Sequence, residues 1–262
     1  MKLTLTLRDR AGAVLYENSG ENETTFAYRG AYRPGERLCL TADRPGALLA
    51  LRLDDSLDES RVFLRGTEFQ FPIPFDAARK PYGEKAFTGE RHWGFVRAVS
   101  GGETGSYIDL AHNSCDYGAN DALFPHAASN VVVDDPKFFA RNAIDGIFET
   151  CNHGSWPHGS WGINGRADAR LRVELGRPVR ADAVVLYLRA DFPHDNWWRT
   201  ARLAFSDGAE LNLTLEKTGR GQKFTFSEKT IAWVELSELV MSDEESRFPA
   251  LSQIMVLGRE VN

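Results

Sequence analysis

The chain opens on KLTLTLRD, in which Leu3, Leu5 and Leu7 alternate with polar residues. The same period of two recurs in RLCLTA (37–42), LLALRLD (48–54), RVFLRG (61–66) and EFQFPIPF (68–75). Side chains of an extended strand point to opposite faces in turn, so this alternation marks strands with one buried face. Each stretch is bounded by Gly, Pro, Asp or Asn. YRPGER and DRPGA carry specific turn chemistry, because proline fixes φ for the first central position and glycine accepts a positive φ at the second. Antiparallel hairpins are therefore expected over residues 1–98.

After the Gly-rich VSGGETGS (99–106), a linker by composition, the alternation resumes. It runs through ARLRVELG (169–176), AVVLYLRA (183–190), ARLAFSDGAELNLTL (201–215), KFTFSEKTIAWVELSEL (223–239) and QIMVLGREV (253–261). Only DPKFFARNAIDG (135–146) predicts a short helix, with Asp134 or Asp135 as cap and Pro136 in its first turn. The expected fold class is all-β: two tandem β-sandwiches, an N-terminal one over 1–98 and a second over 107–262.

Composition narrows the function classes. The hydrophobic share of 42% and charged share of 26% suit an ordinary globular chain. The net charge is −6, yet residues 1–100 hold 15 basic and 14 acidic residues, so the excess acid lies in 101–262. That half would repel phosphate, which argues against a nucleic-acid partner. No apolar run suits a signal peptide or a membrane span of roughly 20 residues, so no membrane association and a cytoplasmic location are expected. Cys39, Cys115 and Cys151 form no CxxC unit; reduced thiols are the expectation, with a Cys115–Cys151 bridge as the alternative.

ARNAIDGIFET, a Trp-bearing loop, LRVELGRPVRADAVVLYLR, ARLAFSDG, QKFTFSEKTIAWVEL and FPALSQIMVLG follow one another in an order that resembles the discoidin or coagulation-factor type C domain. This is the galactose-binding-like jelly roll that includes the family-32 carbohydrate-binding modules, and the resemblance covers about residues 107–260. It implies ligand contacts on loops at one end of the sandwich. It also implies a structural calcium beside the A-x-D-G turn, held in part by Asp145; in the last strand Gln253 stands where the family often has Glu.

The loops so placed hold five of the six histidines and four of the six tryptophans, between His112 and Trp198. Bulky aromatics on exposed loops cost solubility unless they bind something. A sugar site needs an aromatic face for the C–H patch of a pyranose and polar groups for its hydroxyls. Trp156, Trp161, Trp197 and Trp198 can supply the first; His153, His158, Asp191, His194, Asp195, Asn196 and Arg199 the second. Trp161, nearest the next strand, is expected to plug the sandwich, and the adjacent Trp197 and Trp198 should point to opposite faces. His153 and His158 with Asp191, His194 and Asp195 also have the donor types of a transition-metal site, but Pro157 makes a turn rather than the helix that an i, i+4 pair needs.

A non-catalytic carbohydrate-binding protein is the leading reading. A glycoside-active hydrolase or lyase with an inter-domain site, or a protein-interaction module, stays open. Tyr82 or Arg91 of the first half is expected at any shared cleft.

Overall fold

The computed structural model describes residues 1–150, 156–190 and 195–261. Eight strands build the N-terminal part: β1 (Lys2–Arg8), β2 (Val14–Glu21), β3 (Glu23–Arg29), β4 (Arg37–Ala42), β5 (Ala47–Arg52), β6 (Ser60–Leu64), β7 (Glu68–Pro72) and β8 (Arg91–Ala98). The remainder holds β9 (Ile108–Asp109), β10 (Leu123–Phe124), β11 (His126–Ser129), β12 (Trp161–Gly162), β13 (Leu171–Arg189), β14 (Trp198–Phe205), β15 (Glu210–Thr214), β16 (Gln222–Met241) and β17 (Ala250–Glu260). Every pairing among these strands is antiparallel.

The first sandwich packs a sheet of order β2-β1-β4-β7 on one of order β10-β6-β5-β8-β3. Alternation decides the facing: Leu3, Leu5 and Leu7 of β1 meet Leu49 and Leu51 of β5 in one core and are all fully buried. Burying each leucine contributes about 1.5–3 kcal/mol relative to exposing it.

The second sandwich has another construction. β13 and β16 are long strands that serve two layers in turn. Residues 171–174 of β13 lie between β11 and the later half of β16, whereas 179–189 lie between the earlier half of β16 and β17. The pairing with β16 slips between Glu174 and Val179. Gly176 sits at that slip with φ +73°, and a side chain there would run into the Phe124 ring; glycine meets both demands. Arg177 then turns inward to a buried ion pair with Glu260, Nε to Oε2 at 2.7 Å. Both layers close on one core that contains Val173, Leu186, Leu203, Val234 and Ile254.

Two local expectations need correction. Residues 135–146 form not a helix but two 3₁₀ turns, Pro136–Phe138 and Ala140–Ala143, separated by an extended Phe139. Asp135 caps the first by accepting the Lys137 amide at 3.2 Å. Asn142 Nδ2 donates to the Pro136 carbonyl at 2.9 Å, taking the acceptor that a continuing α-helix would use.

The Gly-rich segment is also not a free tether. Gly101–Thr104 makes one helical turn under a Ser100–Glu103 capping box. Hydrogen bonds from Arg97 and Ser100 hold the Glu103 carboxyl down to about 2. Beyond this turn the chain revisits the first sandwich: β10 pairs with β6, and Cys115 and Leu123 are buried in the first core.

Candidate functional site

Arg189 closes β13 and, unlike most strand-end arginines, is buried at 3% exposure. It faces Asp195, itself 1% exposed, through two parallel bonds: Nε to Oδ2 and Nη2 to Oδ1, both 3.1 Å. Nη1 reaches Ser160 Oγ at 3.4 Å. Two buried charges are tolerable only when paired with such geometry. The pair forms part of the wall of a cavity of about 250 Å³ that is otherwise bounded by Val133, Phe138, Ile163, Phe248 and Pro249, with Asn164 at its mouth. Phe248 is 59% exposed. Asn164 adopts φ +50° in the turn that the Arg166 amide closes onto Ile163 O, a conformation asparagine tolerates better than most residues.

The other sequence candidates separate by burial. Trp161 and Trp198 are core residues at 1% and 0% exposure, with ring centroids 6.0 Å apart. Trp161 is anchored through Nε1 to Ser129 Oγ at 3.0 Å. Trp198 therefore presents no face to a ligand, and its assignment as a ligand-binding residue is corrected. Its neighbour Trp197 is half-buried at the edge of the same core and donates Nε1 to Glu244 at 3.2 Å. Arg199 lies on the surface in an ion pair with Asp243 at 2.8 Å and does not line the cavity beside Arg189. His158 is buried beside Arg189, with Nδ1 lacking a partner among the described residues. Burial holds its imidazole below the usual range, the Arg189 charge acting in the same direction and Glu149 against it. His153, Asp191 and His194 lie outside the described residues.

Trp156 occupies a second cavity, of about 150 Å³, between the two sandwiches. Its half-exposed indole lies against Gly83, where an added Cβ would stand 3.3 Å from the ring. Asp58, Tyr82 and Ser114 share the walls with Arg141 and Asp145. Tyr82 thus reaches the shared cleft; Arg91, at the exposed start of β8, does not line it.

Arg141 spends its fork widely: Nε on Asp116 O at 2.8 Å, Nη2 on Ser114 O at 3.1 Å, and Nη1 on Asn142 Oδ1 at 3.1 Å and Asp145 Oδ2 at 3.4 Å. Its guanidinium also lies 4.7 Å from the Tyr82 ring centroid. Burial pushes the Asp145 carboxyl up to about 7, against the pull of Arg141 and the Ile147 amide.

This arrangement does not suit the calcium implied at Asp145. The carboxylate already faces a fixed cation. Gln253 gives its oxygen to the Gly146 amide at 3.2 Å, and its Nε2, a donor, is buried without a partner. Among the described residues no group of three or more His, Cys, Asp or Glu side chains is placed to hold a metal ion.

Sequence reasoning missed Arg141, Arg189 and Phe248. An arginine at a buried position of an apolar strand is the one available signal for Arg189; Phe248, within FPALSQ, reads as part of the closing strand.

No family model matches the chain, and no curated protein does. Several solved structures are similar. Chitosan-binding module 1 from a Paenibacillus sp. IK-5 chitosanase/glucanase is 17% identical over 57% of this chain and 98% of its own, with a TM-score of 0.41. The family 32 CBM of C. perfringens NanJ, in complex with galactose, is 18% identical over 50% of this chain and 91% of its own, TM-score 0.39. The lectin domain of lectinolysin, complexed with Lewis B antigen, is 18% identical over 58% and 97%, TM-score 0.42.

Proposed function

We propose that the chain binds a carbohydrate or a similar polyhydroxylated ligand non-covalently, in the cavity between Arg189, Asp195 and Phe248. The observation that carries this reading is a paired, buried guanidinium and carboxylate set into an apolar cavity whose rim is an exposed phenyl ring. A pyranose presents that combination in reverse: a C–H face for Phe248, and hydroxyls for Asn164 and the ion pair. Arg189 carries five donors; those not spent on Asp195 and Ser160 are free to meet a ligand oxygen. The cavity is smaller than the roughly 300–1,000 Å³ of drug-sized sites, so it suits one sugar ring. Among the described lining residues Asp195 is the one acid, and it is tied to Arg189, an arrangement that suits binding better than acid–base hydrolysis.

Calorimetry with galactose-type and uronic sugars tests this. Phe248→Ala should weaken binding about tenfold, the scale of a lost stacking contact. Absence of any sugar binding at millimolar concentration would refute the proposal.

One observation favours a second reading, a glycoside-active enzyme working in the cleft between the sandwiches: Asp145, pushed up to about 7, is protonated over part of the neutral range, as a general acid must be. Turnover of a chromogenic glycoside that disappears in Asp145→Asn would establish it; the lack of any turnover by the native chain would remove it.

A further inference from the structure

The outer face of the β5-β8-β3 half of the N-terminal sheet carries chemistry that the loop cavity does not use. Arg91, Trp93, Phe95 and Arg97 alternate outward along β8; Thr25, Ala27 and Arg29 do so along β3; Arg52 of β5 stands opposite Phe95. Trp93 is 43% exposed. The Arg52 guanidinium lies 5.8 Å from the Trp93 ring centroid and 5.9 Å from that of Phe95.

Arg29 and Arg91 are direct cross-strand partners, and like charges directly opposite are destabilising. No ion pair relieves Arg29, Arg52 or Arg91 among the described residues, and Arg52 Nε is buried without a hydrogen-bond partner. Acids nearby include Glu23, set opposite Arg97, Glu90, next to Arg91, and Asp54 and Asp55, which follow Arg52 by two and three residues; Arg97 itself is held by Glu59 and Glu103.

We infer that this face binds an acidic polysaccharide, with Trp93 stacking on a sugar ring and Arg29, Arg52 and Arg91 holding its carboxylates or sulfates. The planar guanidinium fork matches either group with two parallel bonds, and an indole face accepts the C–H side of a pyranose. An anion also supplies the charge compensation that the Arg29–Arg91 pair lacks. A bare polyphosphate chain is disfavoured, because it offers the arginines charge but gives the exposed Trp93 ring no C–H face to stack on.

Surface-immobilised protein is tested at low salt with dextran sulfate and polygalacturonate, with neutral dextran and an oligo-dT strand as comparison. Both charged polysaccharides, or the one whose anion fits, should bind and weaken with salt, while dextran does not bind. Arg29→Gln with Arg91→Gln, and Arg52→Gln, should each reduce binding about tenfold, the scale of lost charge-assisted bonds. Trp93→Ala should do the same for polysaccharide. Arg166→Gln, removing an exposed arginine paired with Asp168 elsewhere on the surface, should change nothing.

No binding of either polyanion overturns the inference. So does an equal loss in Arg166→Gln, or oligo-dT binding as tight as polysaccharide. Galactose binding is followed on the same variants and should be unaffected, since none of these residues lines the loop cavity.

Discussion

Two buried arginine–aspartate pairs stand near the same end of the second sandwich, and they are built differently. Arg189 meets Asp195 side-on through two bonds of 3.1 Å, so each charge is answered by the other. Arg141 touches Asp145 with one nitrogen at 3.4 Å and gives its remaining donors to two backbone carbonyls and Asn142. The first pair is a closed unit that can serve as a rigid wall. In the second, burial raises the proton affinity of the Asp145 carboxyl, and the single Arg141 contact and the Ile147 amide offset that only in part.

The sharpest way to break this contrast is at the closed unit. Arg189→Ala removes one partner of this buried pair, a loss that costs about 3–5 kcal/mol. Thermal denaturation should show a large fall in Tm and, at any temperature where the variant still folds, no sugar binding.

The open unit is expected to answer to pH. An acid whose folded pKa lies above its unfolded value, near 4, stabilises the fold fully below that value and loses the contribution as pH rises. With Asp145 at about 7, stability should decline between about pH 4 and 7 and level off above. Asp109, also pushed up to about 7 by burial against the pull of the Ala111 and Val256 amides, acts in the same window. Denaturant titrations across pH should therefore give a shallower decline in Asp145→Asn and a shallower one still when Asp109→Asn is added. A profile unchanged by both substitutions would contradict this account.

The smallest effect is expected at Arg199, whose partner Asp243 is almost fully exposed. Exposed pairs are worth about 0–1 kcal/mol. Arg199→Ala should leave Tm and sugar affinity within error, which separates a surface pair from the two buried ones.

The all-β class was readable because alternation is imposed by the strand itself, and Leu3, Leu5, Leu7, Val173 and Leu175 are buried where the pattern puts them. The same rule divides Trp197 from Trp198, but it cannot say which ring is inside. That depended on β14 pairing with β16, where Trp198 stands opposite Met241. The 3₁₀ turns at 136–143 were not readable, because the Asn142 bond that interrupts the helix is made by a side chain whose position depends on the loop around it.

Among the candidates, Asp195 lies in the wall of the loop cavity, but the residue that fixes it there, Arg189, looks like an ordinary strand terminus in sequence. Phe248 is similar: an exposed phenylalanine and a core one read alike until the rest of the cavity is in place.

The return of β10 to β6 has a consequence for synthesis and for dissection of the chain. While the polypeptide is emerging, β6 remains the border of its sheet, with unpaired amides and carbonyls, until Leu123 and Phe124 have been made. Cys115 and Leu123 are likewise missing from the first hydrophobic core until then. A truncation at the Gly-rich turn would leave that border permanently bare, so a fragment of residues 1–106 should self-associate, whereas one extended through residue 125 carries its own terminating strand.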